Sequence, residues 1–181
     1  MTIPVLILVA VVAIGLVSFI AIYNSLVSLR NKVREAYSTM DVFLRKRHDL
    51  IPMLVTTVKG YAAHEVETLE NVTARRMGGE TLSAVLDTET RISYALSKVM
   101  VSVEGYPDLK ADTTFLDLQR QIVKVEDDIA CARRYYNGSV REYNNRCETV
   151  PYNFVARLAG HRAQPMFRAA DDERSVNDIV F

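Results

Sequence analysis

Residues 41–65 read DVFLRKRHDLIPMLVTTVKGYAAHE, a charge cluster, a proline and two histidines in one run. Working outward, apolar or small residues recur at Leu26, Leu29, Val33, Ala36, Met40 and Leu44, then at Ile51, Leu54, Val58 and Tyr61. Steps that alternate between three and four residues are the seam of a packed helix. After Tyr23 no strong breaker appears before Pro52. The spacing therefore predicts one helix over about 24–77, ended by Met77-Gly78-Gly79. Past Tyr23 such a helix would extend about 80 Å. Pro52 removes one helical hydrogen bond and crowds the turn before it, which predicts a bend over 48–52.

Upstream, no Asp, Glu, Lys, Arg or His occurs between Thr2 and Leu29. Residues 3–23, IPVLILVAVVAIGLVSFIAIY, are almost wholly apolar. At ~1.5 Å per residue this run matches the roughly 30 Å of a bilayer's hydrocarbon layer. A cleaved signal peptide would want basic residues ahead of a core of about 7–15 residues and a small-x-small cleavage site after it. None of those features is present, so residues 1–23 are expected to be a retained transmembrane anchor. Arg30, Lys32 and Arg34 follow the span before the first acid, Glu35. The positive-inside bias then expects the N-terminus outside and the remainder in the cytoplasm.

Downstream, Leu82, Val85, Ile92, Leu96, Val99 and Val103 keep the same spacing over about 81–104, with Glu89 as the odd member of the stripe. Gly105-Tyr106-Pro107-Asp108 breaks that helix. A last helix is expected over about 112–150, starting at the N-cap-type residues 112–114, with Asp117 three positions after Thr114. Its seam is Phe115, Leu118, Ile122, Val125, Ile129, Ala132, Tyr136, Val140 and Tyr143. Helices joined by short turns bury such stripes by folding antiparallel on one another. The fold class expected is all-α: an N-terminal transmembrane helix continuing into a long antiparallel helical bundle over 24–150. Residues 151–181 form an amphipathic segment and an extended tail. The amphipathic piece, with Phe154, Val155 and Leu158 among Arg157, His161 and Arg162, either lies on the membrane interface or caps the bundle. The tail over 175–181 is expected either to dock on the bundle or to add to a partner's surface.

Composition narrows the function. The 22 basic and 22 acidic residues cancel, which argues against a general affinity for nucleic acid. Cys131 and Cys147 share one predicted helix about 24 Å apart, beyond the ~7 Å that a disulfide spans, so free thiols in a reducing compartment are expected. A di-iron bundle needs Glu-x-x-His pairs, yet none of His48, His64 and His161 has Glu three residues earlier. Zinc, phosphate-loop, serine-nucleophile and kinase patterns are also missing. The expectation is no catalytic residue, no cofactor and no metal. Arg47, lying on the seam between Leu44 and Ile51, is expected to pair with Glu126, Asp127 or Asp128, and Asp41 with Arg133 or Arg134. Buried pairs of this kind fix register more than they stabilise. The structural and interaction candidates are thus Asp41, Arg47, Asp49, Pro52, His64, Glu65, Asp127 and Arg133.

The run YNSLVSLRNKVREAYSTMDVFLRKRHDLIPMLVTTVKGYAAHE resembles the LemA family of bacterial membrane proteins. The resemblance continues through YPDLKADTTFLDLQ, ARRYYNGSVREYN and Pro151-Tyr152-Asn153-Phe154-Val155, and so covers nearly the whole chain. The chain departs from the family's usual pattern at Met53 and around Gly160-His161. The resemblance implies a long antiparallel helical bundle on an N-terminal anchor and no known reaction. The family includes a protein of magnetosome membranes, which implies a membrane-organising context. Together these readings expect a single-pass inner-membrane scaffold or adaptor. Its cytoplasmic bundle would self-associate or hold other membrane proteins. The rival is a metal-binding or enzymatic bundle that uses the polar residues of 41–65.

Overall fold

A computed structural model describes residues 2–60, 63–74 and 81–167. Among the described residues there are six helices and no strand: α1 (Thr2–Val58), α2 (Ala63–Ala74), α3 (Leu82–Val103), α4 (Pro107–Ala111), α5 (Thr113–Glu148) and α6 (Tyr152–Leu158). The fold is an all-α helical bundle carrying one long apolar N-terminal helix. The chain forms two compact units. One holds Met1–Tyr37 and Tyr135–Gln164, the other Ser38–Arg134 and the chain from Pro165.

In the first unit, α1 begins as a bare apolar helix. Every described side chain over 3–21 is exposed, and the most hydrophobic 18-residue window has a mean hydropathy of 3.2. Water-soluble folds rarely leave so much contiguous apolar surface uncovered. From Leu26 onward the helix acquires partners. Leu26, Val33 and Ala36 are buried on α1, and Tyr136, Val140 and Tyr143 on α5. Lys32 Nζ meets Glu142 Oε2 at 2.8 Å, and the rings of Tyr37 and Tyr136 meet edge-on at 6.0 Å. Those pairs fix the direction: rising numbers on α1 face falling numbers on α5. The two helices are antiparallel here, and α5 descends toward the apolar end of α1.

In the second unit the seam read from sequence is buried along α1 (Met40, Leu44, Ile51, Leu54, Val58) and α5 (Phe115, Leu118, Ile122, Val125, Ile129, Ala132). Along α3, Ile92, Leu96, Val99 and Val103 are buried as the spacing predicts, but Leu82 and Val85 are only half-buried. Leu86 takes their place. The helix predicted over 24–77 is not continuous. It ends at Val58, turns through Lys59-Gly60, and resumes as α2. Glycine costs a helix interior about 1 kcal/mol relative to alanine, and the turn falls where that cost applies. Lys59 Nζ consequently comes within 3.9 Å of Glu70 Oε1; an unbroken helix would set the two positions roughly 16 Å apart. Val66 and Leu69 of α2 are buried, and α2 packs on α3. The expected stop at Met77-Gly78-Gly79 and the tail over 175–181 lie outside the described residues.

Pro52 stays inside α1, which runs unbroken past it. Two threonines in the following turn bond back to the helix: Thr56 Oγ1 donates to the Pro52 carbonyl at 2.8 Å and Thr57 Oγ1 to the Met53 carbonyl at 2.9 Å. Within the breaker read over 105–108 a short helix, α4, begins, with Pro107 at its first position, where a missing N–H costs nothing.

Asp112 caps α5. Its Oδ1 accepts from the main-chain N–H groups of Thr114 at 2.7 Å and Phe115 at 3.1 Å. The box expected between Thr114 and Asp117 is not what starts the helix; Asp117 instead pairs with Arg120 at 2.9 Å. Asp112→Ala should therefore cost about 1 kcal/mol, read as a lower denaturant midpoint with an unchanged slope.

Candidate functional site

The polar residues of 41–65 separate by helix face. On a helix, positions three or four apart share a side, so Leu44, Arg47, Ile51 and Leu54 point one way. Arg47 is therefore carried into the core, 1% exposed. Its Nη1 donates to Ser93 Oγ at 2.6 Å and to Glu126 Oε1 at 2.9 Å. Its Nη2 donates to the Glu89 carbonyl at 3.2 Å and ion-pairs with Glu89 Oε2. Ser93 Oγ donates onward to Glu126 Oε2 at 2.8 Å. One guanidinium thus joins α1, α3 and α5.

The electrostatics depend on exposure. Glu89 is only 1% exposed, so its carboxylate depends on Arg47 for the hydration it has lost. Glu126 keeps 28% of its side chain in solvent and vents part of the second negative charge there. His48 Nε2 stands 3.5 Å from Glu89 Oε1, on the partly open side. The charged ends of Arg47, Glu89 and Glu126 are thus engaged with one another.

The other candidates fall elsewhere. Asp41 pairs within its own helix, its Oδ2 accepting from Arg45 Nη2 at 2.6 Å and Nε at 2.8 Å. Arg133 lays its guanidinium over the Phe167 ring at 5.1 Å. Asp49 and Asp127 are exposed. Of the three acids considered for Arg47, Glu126 takes the role because it lies one turn from the buried Ile122 and Ile129; Asp127 is rotated outward. His64 and Glu65 sit on α2, and their side chains lie outside the described residues. Glu89 is the partner that sequence reasoning left unassigned. The signal was an acid in an apolar stripe, which needs a buried cation. Among the described residues no three His, Cys, Asp or Glu side chains gather as a metal site would require.

A second polar group lies in the first unit. Tyr143 Oη and His161 Nδ1 are 2.9 Å apart, and the Tyr23 ring meets His161 edge-on at 6.3 Å. Burial pushes the Tyr143 hydroxyl up to about 12, helped by its hydrogen bond with Cys147. Burial also raises Tyr136 to about 12, with Tyr37 adding to it. His161 is pulled below its ordinary 6.5, by burial first and the Arg30 charge second. Cys131 is exposed and Cys147 half-buried, both as free thiols. The signs are opposite at the two ends of the pH range. Folded tyrosines hold protons that unfolded ones release above pH 10, so stability should fall as pH rises from 10 toward 12. Unfolded His161 takes a proton more readily than the folded one, so stability should also fall as pH drops below 6.5. Thermal melts from pH 5 to 7 should show that acid loss in the wild type and less of it in His161→Phe.

"Magnetosome protein MamQ" of Magnetospirillum gryphiswaldense is 24% identical over 213 aligned residues, covering 98% of this chain and 78% of that protein. "Magnetosome protein MamQ 2" of Paramagnetospirillum magneticum is 24% identical over 198 residues, with 91% and 73% covered. "Protein LemA" of Metamycoplasma hominis is 25% identical over 170 residues, with 91% and 78% covered. Residues 36–181 match the sequence profile of the LemA family, a span that takes in the buried arginine, the acids that hold it and α6. The chain belongs to the LemA family.

Proposed function

We propose that this protein is a single-pass membrane scaffold: α1 anchors it in the bacterial inner membrane, and its cytoplasmic helical part self-associates and holds other membrane proteins. It carries out no reaction of its own. The observation that carries the reading is the union of two opposite surfaces on one uninterrupted helix. Residues 3–21 of α1 expose only apolar or small side chains, whereas from Leu26 the same helix is built into packed helical units. Arg30, Lys32 and Arg34 just past the span favour a cytoplasmic placement of the packed helices.

The polar residues of 41–65 support the same reading, since Arg47 is spent on holding three helices and Asp41 on Arg45. Exposed apolar side chains beyond the span, including Val42, Met53, Tyr94, Val101 and Val123, offer contact points for a second copy or another protein. Amine-reactive crosslinking in intact membranes tests the proposal. Ladders of the chain with itself, or discrete adducts with other membrane proteins, are expected. A chain that crosslinks to nothing at any reagent concentration would sink it.

A further inference from the structure

The antiparallel register in the first unit places the end of α5 at a definite height. Lys32 faces Glu142 and Tyr37 faces Tyr136, so each step back along α1 matches a step forward along α5. Extrapolated, Glu148 at the end of α5 comes level with Leu26, less than one helical turn beyond Tyr23. The packing agrees: Leu26 forms one buried cluster with Val155 and Ala156 of α6, and Ile22, Cys147 and Tyr152 pack against it. Ile22 is a residue of the apolar span itself. The chain therefore delivers α6 to the point where α1 leaves the hydrocarbon layer.

The helix is two-sided. Val155 and Ala156 face the bundle. Phe154 and Leu158, one turn apart and so on one side, are 67% and 77% exposed, and Val150 just before the helix is 72% exposed. Cations flank this apolar side. Arg157 is exposed beside it, Arg162 is exposed beyond it, and the Arg146 guanidinium lies 4.7 Å from the Tyr152 ring. Glu148 is the only acid among residues 146–162. The chain turns back sharply after Leu158. His161 N–H donates to the Ala156 carbonyl at 2.9 Å and Gly160 N–H to the Arg157 carbonyl at 3.3 Å, with Gly160 at φ 70°. This Schellman turn needs a left-handed residue, which glycine supplies. It sends His161 back onto Tyr143 and Tyr23 and fixes the face that α6 presents.

We propose that α6 is a membrane-contact helix, with Phe154 and Leu158 seated among the lipids beside the chain's own span and Arg157 and Arg162 at the level of anionic headgroups. The proposal rests on the reading of α1 as membrane-embedded. A helix with an apolar side, flanking cations and an aromatic neighbour settles about 5–10 Å into the boundary between headgroups and acyl chains. Tyr23 and Tyr152 supply the amphipathic rings typical of that depth. The consequence is a second point of attachment, which limits rotation and tilt of the first unit about α1.

The sequence contains no tryptophan, so a single introduced one reports alone. Three full-length variants are reconstituted in phosphatidylcholine–phosphatidylglycerol vesicles with brominated acyl chains: Phe154→Trp, Val12→Trp within the span, and Tyr135→Trp on an exposed part of α5. Phe154→Trp is expected to be quenched by the brominated lipid several-fold more than Tyr135→Trp, less than Val12→Trp, and to resist soluble iodide. Iodide access equal to that of Tyr135→Trp, while Val12→Trp is quenched, would overturn the proposal and leave the anchor standing. Protection from iodide without lipid quenching would also overturn it, since a second copy or another protein would then cover the face. Absence of quenching in Val12→Trp would bring down the membrane reading, and this proposal with it.

Discussion

Arg47→Met is expected to destabilise the second unit by about 3–5 kcal/mol, because it leaves the Glu89 carboxylate buried without its cation. The buried geometry sets that size. Arg47 and Glu89 are each 1% exposed, and Arg47 also serves the Glu89 carbonyl, Ser93 and Glu126, so four acceptors lose a donor at once. In a thermal melt followed by circular dichroism the loss corresponds to a fall in Tm on the order of 10 °C. Two further variants separate charge burial from simple loss of volume. Glu89→Leu combined with Arg47→Met restores an apolar interior and should recover most of the stability, since apolar replacement of a buried pair is often neutral or better. Glu126→Gln should cost far less than either single change in the core, because its side chain is 28% exposed. Equal effects from Glu89→Leu alone and from the double variant would contradict this account of the network.

The second large effect concerns the span. Val12→Arg, or Leu8→Arg, places a charge near the centre of the apolar run, and each should cost about 2.5–3.5 kcal/mol of insertion free energy. Both side chains are largely exposed on α1, so nothing in the folded chain opposes the substitution. Combining the two should shift the protein out of the membrane pellet after carbonate extraction and leave its helical content nearly intact. Val42→Arg, equally exposed but beyond the span, should leave membrane retention unchanged.

Much of the fold was legible because burial follows helical spacing. All nine seam positions named on α5, from Phe115 to Tyr143, are buried. Arg47 could be singled out for the same reason: a cation on an apolar seam must meet an acid. Its partner was harder to read. Glu126 was within reach of the spacing argument, but Glu89 stood in the stripe of a different helix, and which two stripes meet is a tertiary fact. The break at Lys59-Gly60 was missed because apolar spacing ran on through Val58 and Tyr61, and one glycine tips the balance by only about 1 kcal/mol. The two faces of α6 needed the antiparallel register of α1 and α5, which periodicity alone does not supply.

Self-association of the anchored chain is the claim on which the scaffold proposal depends. The most direct test is the number of copies per particle when the full-length protein is extracted from membranes straight into lipid nanodiscs and weighed by mass photometry. A defined assembly of two or more copies, unchanged as the protein is diluted, is the predicted result. One copy per disc, with no other protein bound, would contradict the account.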